Sequence, residues 1–235
     1  RKGRFHLGLG TDGDADRVGV MDAKGRFVTS QETMALLALH LLENRKWRGG
    51  LAKTVAGTNV MNRIAKAFNV PIYETPVGFK HVAELMVKGK ILFGGEESGG
   101  FGISKVMPER DGLLMGLLIA EMMVVRRKSV EGLLKDLRGR FGRWSYHRWD
   151  VTLKETLPKG TLKRLSKRVP QRLAGGAVVK TSTVDGLKVY FQNESWLLLR
   201  ASGTEPLLRI YAEGRSPAQR DRILKAGKRL FELNT

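Results

Sequence analysis

The sequence has no cysteine, so it can form neither disulfides nor thiolate metal sites. Histidine is scarce. His6, His40, His81 and His147 lie far apart, and each reads as a packing or surface residue rather than part of a cluster. No run is long and apolar enough to span a membrane: the best candidate, Leu113 to Val125, is too short and contains Glu121. No internal repeat or low-complexity segment is evident. The opening Arg1-Lys2-Gly3-Arg4 is not a signal-peptide pattern. With the missing thiols, this gives the expectation of a cytoplasmic protein with no membrane partner.

Acidic residues are also few, 23 against 42 Lys and Arg, for a net charge of +19. Such an excess raises nucleic-acid binding as a rival reading. The basic residues are dispersed, however, as in Arg45, Lys46 and Arg48 or Lys163, Arg164, Lys167 and Arg168. No zinc-finger or RNA-recognition signature accompanies them. The charge reads instead as a solvated surface that attracts phosphorylated ligands, with no specific nucleic-acid partner.

At 235 residues, 42% of them hydrophobic, the chain has room for one large domain or two ordinary ones. Phe5 to Gly10 and Val18 to Met21 read as strands, with a turn at Ala23-Lys24-Gly25 into Arg26-Phe27-Val28. So small a unit must join a larger sheet or lean on a neighbour. Thr29 to Asn44 reads as a helix: Thr29 and Glu32 have capping-box spacing, and Met34, Leu37, Ala38, Leu41 and Leu42 share a face. Strands (52–55, 71–74, 91–93) then alternate with helices (60–68, 81–87, 112–126, 130–140), the pattern of a layered α/β domain. Beyond Trp144 the pattern changes. A basic helix over 161–173, several strands and a closing helix from Ser216-Pro217 suggest a smaller α+β domain.

Three loops carry the chemistry. Asp12, Asp14 and Asp16 alternate, and such close carboxylates repel unless a hard cation sits among them. An EF-hand would need Gly at the sixth position and Glu at the twelfth, which here are Arg17 and Ala23. A solvated acidic turn is the bland alternative. Gly94-Gly95-Glu96-Glu97-Ser98-Gly99-Gly100 places a carboxylate and a hydroxyl among small residues, either to grip sugar hydroxyls or simply to turn. Arg200-Ala201-Ser202-Gly203-Thr204-Glu205-Pro206, followed by Arg209, combines hydroxyls, a permissive glycine and planar guanidinium forks suited to phosphate. An ordinary hairpin with a surface arginine is the alternative there.

The ordered triplet resembles the α-D-phosphohexomutases, the phosphoglucomutase/phosphomannomutase family, over nearly the whole chain. The resemblance implies four domains in a full enzyme. Here it implies residues 1–26 as the end of domain 2 with the metal loop, 27–143 as an α/β sugar-binding domain, and 144–235 as an α+β phosphate-binding domain. The family's Thr-x-Ser-His-Asn-Pro loop, which carries the phosphoserine, does not occur. The chain is therefore expected to lack the N-terminal half of the enzyme and to be inactive alone. The activity implied for the whole is transfer of a phosphoryl group between O1 and O6 of a hexose phosphate through a hexose bisphosphate.

By the same resemblance, Asp12, Asp14 and Asp16 hold Mg²⁺ and Arg17 touches the reacting phosphoryl group. Glu96 and Ser98 contact O3 and O4 of the hexose, while Arg200, Ser202, Gly203, Thr204 and Arg209 hold the non-reacting phosphate. Thr75 and Gly78 lie near the sugar. Lys80 is either a phosphate contact or an exposed helix-start lysine. Arg110 stands where some members carry a basic residue that assists proton movement, and as an arginine it is assigned electrostatics. Lys53 lies near a second candidate base position. The hydroxyl-reading loop does not separate glucose from mannose phosphates, though Gly100, where some phosphomannomutase and phosphoglucosamine-mutase relatives carry His, inclines the reading towards glucose. A non-catalytic sugar-phosphate-binding module is the alternative.

Overall fold

The computed structural model describes residues 4–202 and 205–233. The chain forms two compact units, Arg1–Gly142 and Arg143–Thr235. The first opens with a three-stranded antiparallel sheet of β1 (Leu7–Thr11), β2 (Val18–Asp22) and β3 (Phe27–Val28). Its β2–β3 turn is fixed by Asp22, whose carboxylate accepts the N–H groups of Lys24 (2.9 Å) and Arg26 (3.0 Å) and the Arg26 Nε–H (2.7 Å).

Helix α1 (Ser30–Leu39) starts at Thr29, whose hydroxyl oxygen accepts the Glu32 N–H and donates to the Glu32 carboxylate. The expected 16-residue helix is not regular throughout. It widens into a π-helical turn over His40–Asn44. Nor is it one-faced: Gln31, Thr33, Ala35, Leu36 and Leu39 are buried along with the expected stripe, so the helix lies inside the unit. Its buried Gln31 is satisfied by the Ala56 carbonyl and the Thr58 N–H, at 2.9 and 2.7 Å.

The chain continues through β4 (Gly50–Thr54), α2 (Val60–Ala67), β5 (Ile72–Thr75), α3 (Phe79–Val87), β6 (Ile91–Gly95), β7 (Phe101–Ile103), β8 (Met107–Arg110), α4 (Gly112–Arg126) and α5 (Val130–Phe141). Sheet order is β5-β4-β6-β7-β8. The first three strands are parallel and the last two antiparallel. Every residue of β4 and β6 is buried, as expected of parallel strands covered on both faces. The carboxyl ends of β4, β5 and β6 carry Thr54, Thr75 and Glu96, at the sheet edge where open α/β folds bind ligands.

The second unit contains β9 (Ser145–Thr152), α6 (Thr161–Ser166), β10 (Arg172–Leu173), β11 (Gly176–Ser182), β12 (Leu187–Phe191), β13 (Trp196–Ala201), β14 (Leu207–Gly214) and α7 (Pro217–Glu232). Its strands are antiparallel in the order β10-β11-β12-β13-β14-β9. Alternate residues Leu187, Val189, Phe191, Leu197, Leu199, Leu208, Ile210 and Ala212 meet Ile223, Leu224, Leu230 and Phe231 of α7 in one core. Each large aliphatic side chain buried there contributes about 1.5–3 kcal/mol. Helix α6 is shorter than the expected 161–173 because Pro170 lacks an N–H and disfavours helical backbone at Val169; Arg172–Leu173 is a strand instead. Ser216 caps α7 by accepting the Gln219 N–H, with Pro217 in the first turn.

Candidate active site

The aspartate loop joins β1 to β2. It folds back on itself through the Ala15 N–H to the Asp12 carbonyl (3.1 Å) and the Arg17 N–H to Asp12 Oδ1 (3.1 Å). It also docks on the start of α4, where the Gly112 N–H donates to the Ala15 carbonyl at 2.9 Å. A Cβ on Gly112 would lie 2.4 Å from the Arg17 carbonyl oxygen and 2.8 Å from that of Ala15, so only glycine permits this approach. Ligand oxygens of Asp12, Asp14 and Asp16 lie within 4.8 Å of one another.

Asp16 is the innermost of the three. Burial pushes its carboxyl above the usual value; Arg110 opposes this, the Asp14 and Asp12 charges reinforce it, and Arg17 opposes. Asp16 Oδ2 pairs with Arg110 at 2.7 Å. Among the described residues Asp16 Oδ1 is buried with no hydrogen-bond donor, and Arg17 Nε lies 3.6 Å from it. A buried, unsatisfied carboxylate oxygen beside two further carboxylates fits a divalent cation.

The hydroxyl-reading loop of the same unit packs against this one. Arg17 bridges to Gly100 as an antiparallel pair, and the Val18 N–H donates to the Gly99 carbonyl at 3.1 Å. The aspartate loop and the hydroxyl-reading loop are therefore joined through backbone. Glu96 is buried, and its Oε1 accepts the Gly78 N–H at 2.8 Å. Its Oε2 accepts nothing among the described residues. Glu97 turns the other way and takes the Thr54 hydroxyl at 3.0 Å. Ser98 is exposed at the tip.

The remaining sequence candidates of this unit are placed as follows. Arg17 is half exposed beside Asp12. The Arg110 guanidinium lies 5.6 Å from the Phe79 ring centroid and 3.4 Å from Glu109 Oε1. Thr75 is buried and its hydroxyl donates to the Pro76 carbonyl at 3.0 Å. Lys80 is exposed in the first turn of α3. Lys53 is buried, donating to the carbonyls of Gly57 and Thr58 (3.2 Å each) and to Asn59 Oδ1 (2.8 Å). These three bonds tie Lys53 into the β4–α2 loop.

In the second unit, Arg200 and Arg209 are direct cross-strand neighbours on β13 and β14. Like charges so placed repel unless anions compensate. Asp185 supplies one, its Oδ2 accepting from Arg200 Nε at 2.9 Å. Arg209 Nε is buried without a partner among the described residues. The Ser202 hydroxyl accepts the Glu205 N–H at 3.3 Å, and the Ser202 N–H donates to the Leu207 carbonyl at 2.8 Å. Gly203 and Thr204 lie outside the described residues. Arg200, Ser202 and Asp185 open on a cavity of about 610 Å³ that Lys159 and Lys163 also line.

Residues 29–141 match the phosphoglucomutase/phosphomannomutase alpha/beta/alpha domain III, and residues 157–227 match that family's C-terminal domain. The chain belongs to the phosphoglucomutase/phosphomannomutase family. It is 33% identical over 227 residues to a phosphoglucomutase/phosphomannomutase of Thermococcus kodakarensis, covering 96% of this chain and 47% of that protein. It is 31% identical over 235 residues to a phosphoglucosamine mutase of Methanocaldococcus jannaschii, covering 98% and 49%. The crystal structure of a candidate phosphomannomutase from Thermus thermophilus superimposes with a TM-score of 0.79 at 33% identity, over 96% of this chain and 46% of that one. The chain thus spans about half the length of the relatives it matches.

In this phosphohexomutase-family chain, sequence reasoning singled out the three loops but missed the contacts that fix each of them within its own unit. The Glu96–Gly78, Glu97–Thr54 and Arg200–Asp185 contacts join residues 15 to 43 positions apart, and no spacing rule announces them. Asp185 was not singled out at all, although Asp-Gly dipeptides favour turns.

Proposed function

We propose that the chain supplies the cation-holding, hydroxyl-reading and phosphate-reading parts of a phosphohexomutase that moves a phosphoryl group between O1 and O6 of a hexose phosphate through a bisphosphate. The observation that carries this reading is the backbone joining of the aspartate loop to the Glu96–Gly100 loop through Arg17 and Gly100. It supports the reading because it puts the loop of Asp12, Asp14 and Asp16 beside the loop of Glu96 and Ser98 within a single unit.

Asp12, Asp14 and Asp16 would hold Mg²⁺, and the ion would supply positive charge that offsets the charge of phosphoryl oxygens. Arg17, half exposed, meets the transferring group with a fixed positive fork, and Arg110 holds Asp16 and adds to the field. Glu96 Oε2 and Ser98 take the O3 and O4 hydroxyls; Oε1 is committed to Gly78, which fixes the carboxylate plane. Thr75 acts through its backbone, its hydroxyl being engaged locally, and Lys80 reaches the ligand's phosphate from α3. Arg200, Ser202, Gly203, Thr204 and Arg209 take the phosphate that is not reacting. The phosphoserine donor is not among these 235 residues and comes from the other half of the enzyme. The ligands are hexose phosphates and bisphosphates, with glucose favoured by Gly100, and the setting is the cytoplasm.

Titration calorimetry tests the reading with glucose 1-phosphate, glucose 6-phosphate and unphosphorylated glucose. Both phosphates should bind and glucose should not. Because the ligand must be read in two orientations, Arg200→Ala should weaken both phosphates by about one to two decades. Binding of neither phosphate, or a loss confined to one, contradicts the reading.

A further inference from the structure

We infer that Asp185 is a positioning residue for Arg200, holding the guanidinium so that its terminal nitrogens serve the ligand's phosphate. The inference rests on the phosphate-loop reading above. Asp185 lies in the β11–β12 turn, 15 residues before Arg200. Both side chains are about four-fifths buried, at 20% exposure for Arg200 and 23% for Asp185.

The fold builds this pair in. Gly186, next to Asp185, has φ +93°, and a Cβ there would lie 2.2 Å from the Leu199 carbonyl oxygen and 3.1 Å from the Arg200 Cα. Only glycine lets the turn seat against the β13 backbone at that point. The seat delivers Asp185 Oδ2 to Arg200 Nε.

A guanidinium carries five N–H bonds. One is donated through Nε to Asp185, and among the described residues nothing else accepts from Arg200. Two terminal nitrogens are left as a planar fork, the geometry that binds a phosphate through parallel hydrogen bonds. Asp185, Arg200 and Ser202 share the cavity of about 610 Å³ with Lys159 and Lys163.

Asp185 acts on a phosphate with two opposite signs. Its charge repels the anion, while its hydrogen bond aims the fork. If charge were all that mattered, any removal of Asp185 would tighten phosphate binding. If aiming dominates, Asp185→Ala weakens binding although the site becomes more positive. Asp185→Asn, which keeps an acceptor oxygen without the charge, binds at least as tightly as the parent.

The experiment is titration calorimetry of the 235-residue chain with inorganic phosphate and with glucose 1-phosphate, near physiological salt, with melting temperatures recorded alongside. D185A should lose about five- to tenfold in affinity and D185N should lose none. In an R200K background, where no fork remains to be aimed, D185A should instead tighten binding. A D185A chain that binds as tightly as the parent, while R200A is weakened, overturns the positioning role and leaves the phosphate-loop reading standing. An R200A chain that binds as the parent does overturns both. Equal losses in D185A and D185N reduce Asp185 to a structural part and overturn the inference.

A second readout does not depend on D185A folding. The Arg200 Nε–H resonance should be protected from exchange in the parent and in D185N, and should shift when phosphate is added. An unprotected resonance that ignores phosphate also overturns the inference.

Discussion

Gly112→Ala probes the join on which the cation site depends. The new methyl would sit 2.4 Å from the Arg17 carbonyl oxygen and 2.8 Å from both the Arg17 carbonyl carbon and the Ala15 carbonyl oxygen. All three are backbone atoms and cannot rotate away. The N-terminus of α4 is pinned as well, because Asp111 Oδ1 accepts the Leu114 N–H at 2.9 Å. Either the helix start or the aspartate loop must move, and the 2.9 Å bond from Gly112 to Ala15 lengthens with it. Overpacking of this kind costs about 1–3 kcal/mol, and the strained hydrogen bond adds up to about 1 kcal/mol. For a unit of this size a loss of about 2–3 kcal/mol lowers the melting temperature by about 6–12 °C. Displacing the loop also spreads the three carboxylates, so Mn²⁺ affinity should fall at least about tenfold, since ligand number and geometry set cation affinity. Gly139→Ala is the control. Gly139 is exposed within α5 and nothing lies within 4 Å of its would-be Cβ, so that change should stabilise by about 0.5–1 kcal/mol. Calorimetric melts and Mn²⁺ titrations of both variants make the comparison. A Gly112→Ala protein that melts and binds Mn²⁺ like the parent refutes the docking argument.

Asp14→Ala should weaken Mg²⁺ and Mn²⁺ binding without lowering the melting temperature, because Asp14 is exposed and its contribution is to the cation; superimposable titration curves would remove it from the ligand set. Asp22 sets an acid limit on folding. Burial works against its ionisation, but the Arg26 N–H, the Arg26 guanidinium and the Lys24 N–H outweigh it and hold the carboxyl below its ordinary value of 3.8. Its stabilisation is complete above that value and is lost as pH falls through the lower folded value. Asp22→Asn should therefore be less stable than the parent at pH 7 and lose less on acidification below about pH 4; identical pH profiles in urea unfolding would contradict this.

Much of the architecture could be read from local pattern. Alternating apolar strands and helices between Ala52 and Arg140 announced the α/β unit, the Thr29 cap formed as its spacing implied, and the closing helix starts at Ser216-Pro217 as expected. The misses share a physical cause. The π-helical turn at His40–Asn44 reflects how α1 packs inside its unit, which apolar periodicity does not encode. Strands β7 and β8 are three and four residues long, too short for a period-2 signal among glycines. Helix α6 was overextended because the basic run masked the stop at Pro170. At the site, the three loops were legible because their residue types are unusual. The contacts that fix them within their units were not, because Glu96 to Gly78 or Arg17 to Gly100 is a matter of chain return rather than of sequence spacing. Lys53, visible in the sequence only by residue type, donates to loop carbonyls that no spacing rule announces.

The central claim is that one chain carries both a cation site at Asp12, Asp14 and Asp16 and a phosphate site at Arg200, Ser202 and Arg209. A crystal structure of the protein grown with Mn²⁺ and glucose 1,6-bisphosphate, with anomalous data collected at the manganese edge, tests both halves at once. The account predicts an anomalous peak among the three aspartates and a phosphate against Arg200 and Ser202. Manganese elsewhere, or a bisphosphate bound away from both loops, would contradict it.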